Sequence, residues 1–296
     1  MKKLIPLFIA ICCLGLVGCN DSTTPSNSSS SEEASISIQE TSTNSQQTST
    51  NPIEDSNFTI KSNILDAYST SQNGSETIYT INKSGEYTLS GSLNGQIIFA
   101  SSLDTSVKLN LNNVSITSSS QCIFWQSEIK KVELSPLSNT INSLTSTGIQ
   151  SCVESNNNIE ISGSGSLSIN SKSKHALDGS NLTVSESPKL TITASKDGFH
   201  GKNILIGGGD ITISNVDDAF QADINSRGSK GTFTMTNGNV VINTANSIVK
   251  ADTSIDVQGG KINATNCEAS FIPNINTPTI SIAANSVTID GQPYNN

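Results

Sequence analysis

Short stretches of alternating apolar residues return along this chain inside a larger period, and that return limits its possible folds more than any other feature. They include Val107–Leu111, Ile159–Ile161, Leu167–Ile169, Leu190–Ile192, Ile204–Ile206, Ile211–Ile213, Phe233–Met235, Val240–Ile242, Ile255–Val257 and Ile280–Ile282. Gly, Asn, Ser and Asp punctuate them. Alternation over three to five residues with turn residues between reads as strand, and no stretch past the N-terminal apolar run has a helical period. A small residue followed by an apolar one also recurs at Gly148-Ile149, Ala176-Leu177, Gly198-Phe199, Ala219-Phe220 and Ser247-Ile248, with the apolar members 28, 22, 21 and 28 residues apart. A period of roughly 20–30 residues with three short strands per unit predicts a β-solenoid. A sandwich needs longer strands, and a propeller repeats at roughly 40–50 residues. The expected fold is therefore all-β: a single-stranded parallel β-helix of about eight coils over residues 107–296. Residues 58–106 are less regular and are expected to cap its N-terminal end, hiding the unpaired edge of the first coil.

The first 57 residues stand outside that repeat. Lys2 and Lys3 precede an apolar run from Leu4 to Val17, which ends in Leu16-Val17-Gly18-Cys19. A basic start, a short apolar core and a small-residue cleavage site make residues 1–18 a secretory signal, too short to span a bilayer as a mature helix. The Cys directly after the small residue matches the lipobox of bacterial lipoproteins, which makes Cys19 the expected lipidation site. The alternative is an ordinary secretory signal followed by a chance cysteine. Residues 19–57 are rich in Ser, Thr, Asn and Gln. They bury too little to offset their ordering entropy and are expected to form a disordered tether. The expected location is the cell envelope, facing periplasm or exterior, with a membrane reached through the lipid.

Charge narrows the partners. The chain carries 16 Lys and Arg against 25 Asp and Glu, a formal charge of −9. Loss of Lys2 and Lys3 with the signal takes this to −11 (−9 − 2). Arg227 is the only arginine and the lysines form no basic patch to neutralise a run of phosphates, so nucleic acid is excluded as a partner. Aromatic residues are 4% of the chain and Trp125 is the only tryptophan, so a flat stacking platform for sugars is poorly supplied. Past Cys19 the cysteines are Cys122, Cys152 and Cys267, none with CxxC spacing. Cys122 and Cys152 lie about one coil apart and could bridge; the preferred reading is three small buried hydrophobes.

Gly85-Glu-Tyr-Thr-Leu-Ser-Gly91, Gly95-Gln-Ile-Ile98, Val107-Lys-Leu-Asn-Leu-Asn-Asn-Val-Ser-Ile116, Asp197-Gly-Phe199 and Asp217-Asp-Ala-Phe220 follow one another in an order that resembles a known family. It is the family of carbohydrate-binding parallel β-helix proteins first recognised in cellulolytic clostridia, and the resemblance covers roughly residues 58–290. It implies a right-handed helix similar to pectate lyases, bound calcium, and binding of cellulose or of acidic sugars such as polygalacturonate without clear lyase activity. A monomer is expected.

The coils carry one constellation with chemistry in it. Aligned on their small-apolar pairs, Asp197, Asp218 and Asn246 each stand one residue before a pair, and stacked coils bring such positions about 5 Å apart. Asp217 adjoins Asp218, Asp223 follows Phe220 by three residues, and Asp252 follows Ile248 by four. Carboxylates forced together must protonate, take a cation or turn to water. An oxygen-only set suits calcium, which would also bridge an acidic protein to an acidic sugar. Two other readings stay open. These are polar turn residues, or Asp197 and Asp218 are a glycosidase or lyase pair with Lys196, Lys202 or Arg227 nearby. His175 and His200 lie about one coil apart, but two histidines lack the third ligand that zinc needs.

Overall fold

The computed structural model describes residues 57–125, 128–223, 231–274 and 276–294. The signal, Cys19, most of the tether and Arg227 lie outside the described residues. Within them every regular element is a strand, and the strands stack in parallel into three sheets that wind around one core.

The first sheet runs through Glu76–Ile81, the end of Gly85–Phe99, Ile123–Trp125, Val153–Ser155, the start of Leu177–Val184, the start of Phe199–Ile206, Val216–Ala222, Ala245–Ala251 and Cys267–Pro273. The second takes the start of Ser106–Ser118, then Lys131–Pro136, Asn158–Ile161, the ends of Leu177–Val184 and Phe199–Ile206, Thr232–Met235, Ser254–Val257 and Thr279–Ile282. The third takes the end of Ser106–Ser118, then Ile141–Ser146, Ser166–Ser171, Lys189–Ala194, Asp210–Ser214, Asn239–Ile242, Lys261–Ala264 and Val287–Ile289. This is the parallel β-helix that the repeat predicted.

Alternation decides what goes inside. On the first sheet Ile97, Ile123, Val153, Leu177, Phe199, Phe220 and Val249 stack inward, one per coil, all almost fully buried. Phe220 lies 5.1 Å from the Phe199 ring and 4.9 Å from Phe233, so three rings fill the middle coils. Fully burying such a side chain is worth roughly 1.5–3 kcal/mol. The corners use asparagine for two purposes. Asn113, Asn139, Asn215, Asn266 and Asn285 all sit at φ between 54° and 60°, a left-handed conformation that their short side chains tolerate. Asn158, Asn181 and Asn203 hydrogen-bond in a ladder that ends on Thr232 Oγ1.

Both ends are closed by antiparallel pieces. Tyr68–Asn73 forms a hairpin with Glu76–Ile81, and Thr59–Lys61 pairs antiparallel with Thr88–Ser90. Glu76–Ile81 already stacks in parallel on the next coil, so the helical stack reaches back into the segment read from sequence as a cap. At the far end Gln292–Pro293 folds back on Thr288 and Ile289.

The strand register corrects two members of the sequence alignment. Val153, not Ile149, pairs with Leu177, and Ile149 is 80% exposed. Val249, not Ile248, pairs with Phe220. The physical reason is that two consecutive residues point inward at this corner. Cys152-Val153 and Ile248-Val249 fill both places, and a search for a small residue followed by an apolar one slips past them. Cys122 and Cys152 do stack on neighbouring coils, both buried, as free thiols with sulfurs 3.6 Å apart.

Candidate functional site

Next to each inward residue of the first sheet stands one that faces out. Read along the stack, this row is Ile98, Phe124, Glu154, Asp178, His200, Gln221, Lys250 and Ile272. Apolar residues hold its two ends, and five polar or charged ones hold its middle. Stacking spaces them by about 4.8 Å per coil. The flanking corner carries His175, Asp197, Asp218 and Ser247 on successive coils. Asp223 and Asp252 lie just past the row on its other side.

Five aspartates here are 5% exposed or less: Asp178, Asp197, Asp218, Asp223 and Asp252. Buried charges persist only when paired and hydrogen-bonded, and these are. Asp197 Oδ2 lies 3.0 Å from His175 Nδ1, and its Oδ1 accepts the Asp218 amide at 3.2 Å. Asp218 accepts from the Ser247 hydroxyl and meets Lys250 Nζ at 3.3 Å. His200 bridges two carboxylates: Nδ1 is 3.0 Å from Asp178 Oδ1, and Nε2 is 3.1 Å from Asp223 Oδ2. Gln221 Nε2 donates to the same Asp223 oxygen at 3.2 Å. Asp178 also lies 3.5 Å from Lys174 Nζ, which reaches Glu154 at 3.8 Å. Asp252 accepts the Asn276 amide at 2.9 Å and Asn274 Nδ2 at 3.2 Å. The His175 and His200 rings stack at 4.1 Å, 10° from parallel.

This network sets the protonation states. Burial pulls the His200 pKa down, but hydrogen bonds and charge from Asp178 and Asp223 outweigh it and raise it to about 9, so the ring is cationic at neutral pH. Burial pushes the Asp218 carboxyl up and the charge of Asp197 adds to that, opposed by the Ser247 hydroxyl and by Lys250.

The expected calcium ligands are thus in one region but do not form one oxygen cage. Asp197 and Asp218 stack as predicted. Asn246 does not continue their column. It stacks on Asp217, donating to Asp217 Oδ1, and Ser247 takes the place expected for it. Asp217 is half-exposed beside Lys196 Nζ at 3.5 Å. The oxygens of Asp197, Asp218, Asp217 and Asp223 meet His175, Lys250, Lys196 and His200 respectively, so these residues as arranged do not fit calcium. Lys202 lies on Phe199–Ile206, half-buried. Glu154, Lys174, Asp178 and Lys250 were missed as site residues. A signal existed: each of Glu154, Asp178, His200, Gln221 and Lys250 directly follows the inward residue of its coil. A shallow cleft of about 690 Å³ near Ile64, Tyr68 and Glu86 shares no residue with this row.

Comparison with known proteins bears on the fold and the family. A gadolinium derivative of the polysaccharide lyase-like protein from C. thermocellum has a similar structure, with a TM-score of 0.66 at 22% identity, over 76% of this chain and 93% of that one. At that identity the likeness shows the fold. No curated protein matches significantly. The family described as carbohydrate-binding domain-containing protein matches residues 75–293, which spans almost the whole solenoid and every member of the row. The chain belongs to the carbohydrate-binding domain-containing protein family.

Proposed function

We propose that this protein binds a polysaccharide along the outward row of the first sheet, from Phe124 to Lys250, and does so without cleaving it. One observation carries the reading: donors and acceptors repeat there once per coil, already held in place by their mutual pairing. Hydroxyls of an extended sugar chain need such a ladder, and groups fixed beforehand lose little entropy on binding. Among the described residues, exposed aromatics amount to Tyr68 at 38%, in the cap hairpin, with Phe124 half-buried at the end of the row. Contact is therefore through hydrogen bonds and charge. Lys174, His200 and Lys250 place N–H donors along an acidic protein, able to reach the hydroxyls of cellulose or the carboxylates of acidic sugars such as polygalacturonate.

The tie of Asp197 to His175 and of Asp218 to Lys250 supports binding rather than cleavage. A lyase or hydrolase is the second reading, favoured by the raised pKa of Asp218 beside Asp197, the environment a general acid needs. The sequence further supports a lipid at Cys19, a polar tether and display in the cell envelope.

The test is a glycan array probed with the mature chain, with calcium and with chelator, followed by affinity measurement on hits. Binding that falls at least tenfold in Gln221→Ala with Lys250→Ala, with no unsaturated product or new reducing ends, supports the reading. Unchanged binding in that variant refutes the row as the site, and product formation favours the enzyme.

A further inference from the structure

The two histidines have the third ligand that the sequence did not disclose. One ring nitrogen of His175, one of His200 and a carboxylate oxygen of Asp178 all lie within 4.8 Å of one another. We propose that His175, Asp178 and His200 form a site for a divalent transition-metal ion, with zinc the best fit.

Three observations converge on it. The first is the donor set. Two imidazole nitrogens with one carboxylate oxygen suit zinc and its neighbours in the transition series, whereas calcium takes oxygen alone. The second is orientation. Metal-bound histidines hold their other ring nitrogen on a carboxylate or carbonyl, which fixes the ring and the tautomer. Both histidines here do so: His175 Nδ1 lies 3.0 Å from Asp197 Oδ2 and 3.3 Å from the Asp197 amide nitrogen, so the proposed ion takes Nε2. His200 Nε2 lies 3.1 Å from Asp223 Oδ2, and Nδ1, which faces Asp178 Oδ1 at 3.0 Å, releases its proton to water when the ion enters between them. The two outer carboxylates are themselves buried, Asp197 at 2% and Asp223 at 5% exposure. The third is access. The His175 and His200 side chains are 13% and 20% exposed, so an ion can enter from solvent.

A tetrahedral ion with bonds of about 2.0–2.2 Å holds its ligand atoms about 3.4 Å apart; His200 Nδ1 and Asp178 Oδ1, at 3.0 Å, already stand near that spacing, and His175, within 4.8 Å of both, closes on them. The stacked rings tilt toward each other, and Lys174 Nζ, 3.5 Å from Asp178, swings back into water. Three protein ligands leave a fourth position for water or an incoming oxygen.

The proposal does not rest on carbohydrate binding, and the Gln221 and Lys250 variants that test that reading leave all three ligands in place. The full mature chain, with Cys19→Ser to keep it soluble, is stripped with chelator and titrated with Zn²⁺ by calorimetry. Co²⁺ is followed by its visible spectrum, and Ca²⁺ serves as the comparison ion. The expected result is one Zn²⁺ per chain and Co²⁺ bands of a four- or five-coordinate site. Zn²⁺ affinity should fall at least 100-fold in His175→Ala and in His200→Ala, and about 10–100-fold in the isosteric Asp197→Asn and Asp223→Asn. Circular dichroism checks that each variant folds, and the wild-type Co²⁺ spectrum decides the case even if one does not. The proposal is overturned by absence of Zn²⁺ binding, by equal affinity in folded histidine variants (an adventitious ion only), or by a cobalt–thiolate band that puts the ion on a cysteine.

Discussion

Replacing Val153 by alanine removes about two methyl equivalents from a position with no exposure, between Ile123 and Leu177 in the first sheet. At about 0.8 kcal/mol each the transfer loss is about 1.6 kcal/mol, and the cavity brings it to about 2–3 kcal/mol. Replacing Ile149, 80% exposed, changes stability by no more than about 0.5 kcal/mol. Urea unfolding followed by circular dichroism reads both. At a slope near 3 kcal/mol/M, Val153→Ala lowers the midpoint by roughly 0.7–1 M while Ile149→Ala leaves it in place. The pattern of small-apolar pairs predicts the reverse order, with Ile149 inside. The register at stake also puts Glu154 beside Asp178, so a larger effect at Ile149 than at Val153 would undo the outward row along with the core.

Other consequences concern the network, a corner and the thiols. In metal-free protein His200, with a folded pKa of about 9 against 6.5 unfolded, adds stability that is fully present below about pH 6.5 and lost as pH rises through about 9. That difference in pKa corresponds to at most about 3–4 kcal/mol. Urea midpoints of wild type and His200→Gln should therefore differ at pH 6 and converge toward pH 10, whereas a gap independent of pH would contradict the ion pairing. At Gly95, φ is +152° and an added Cβ would meet the Thr77 carbonyl oxygen at 1.8 Å. Gly95→Ala should thus destabilise by about 3 kcal/mol or more, and near-wild-type melting would show that the first coils can shift. Contact with Cys152, with burial, pushes the Cys122 thiol well above its usual range. Of the three cysteines in the fold, Ellman's reagent should reach only half-buried Cys267 before unfolding; fast labelling at Cys122 would refute that packing.

The solenoid was legible because stacking imposes one rule on every coil. Ile159, Leu182, Ile204, Phe233, Ile255 and Ile280 occupy a single column, and alternation around each reports a strand. The slips came where the rule changes, at the corner where Cys152 and Val153, or Ile248 and Val249, both turn inward. The acidic part of the site was legible from Asp197 and Asp218, since equal places in successive coils must meet. Their partners were not. Lys250 reaches Asp218 from the next coil, and His200 joins carboxylates from the coils on either side of it. A sequence shows the acids in order but not which cations fold onto them, so an oxygen cage for calcium was the natural expectation. The structure instead shows a mixed network, with nitrogen on nearly every acid.

The most direct measurement is the affinity of the mature chain for the polysaccharide it selects on an array, compared across single changes along one column. Phe124→Ala, Gln221→Ala and Lys250→Ala face the proposed ligand, and Leu65→Ala (81% exposed in the cap) does not. Each row variant should weaken binding several-fold or more with folding intact, while Leu65→Ala binds as wild type. Undiminished binding in all three row variants, or loss confined to Leu65→Ala, would contradict binding along the row.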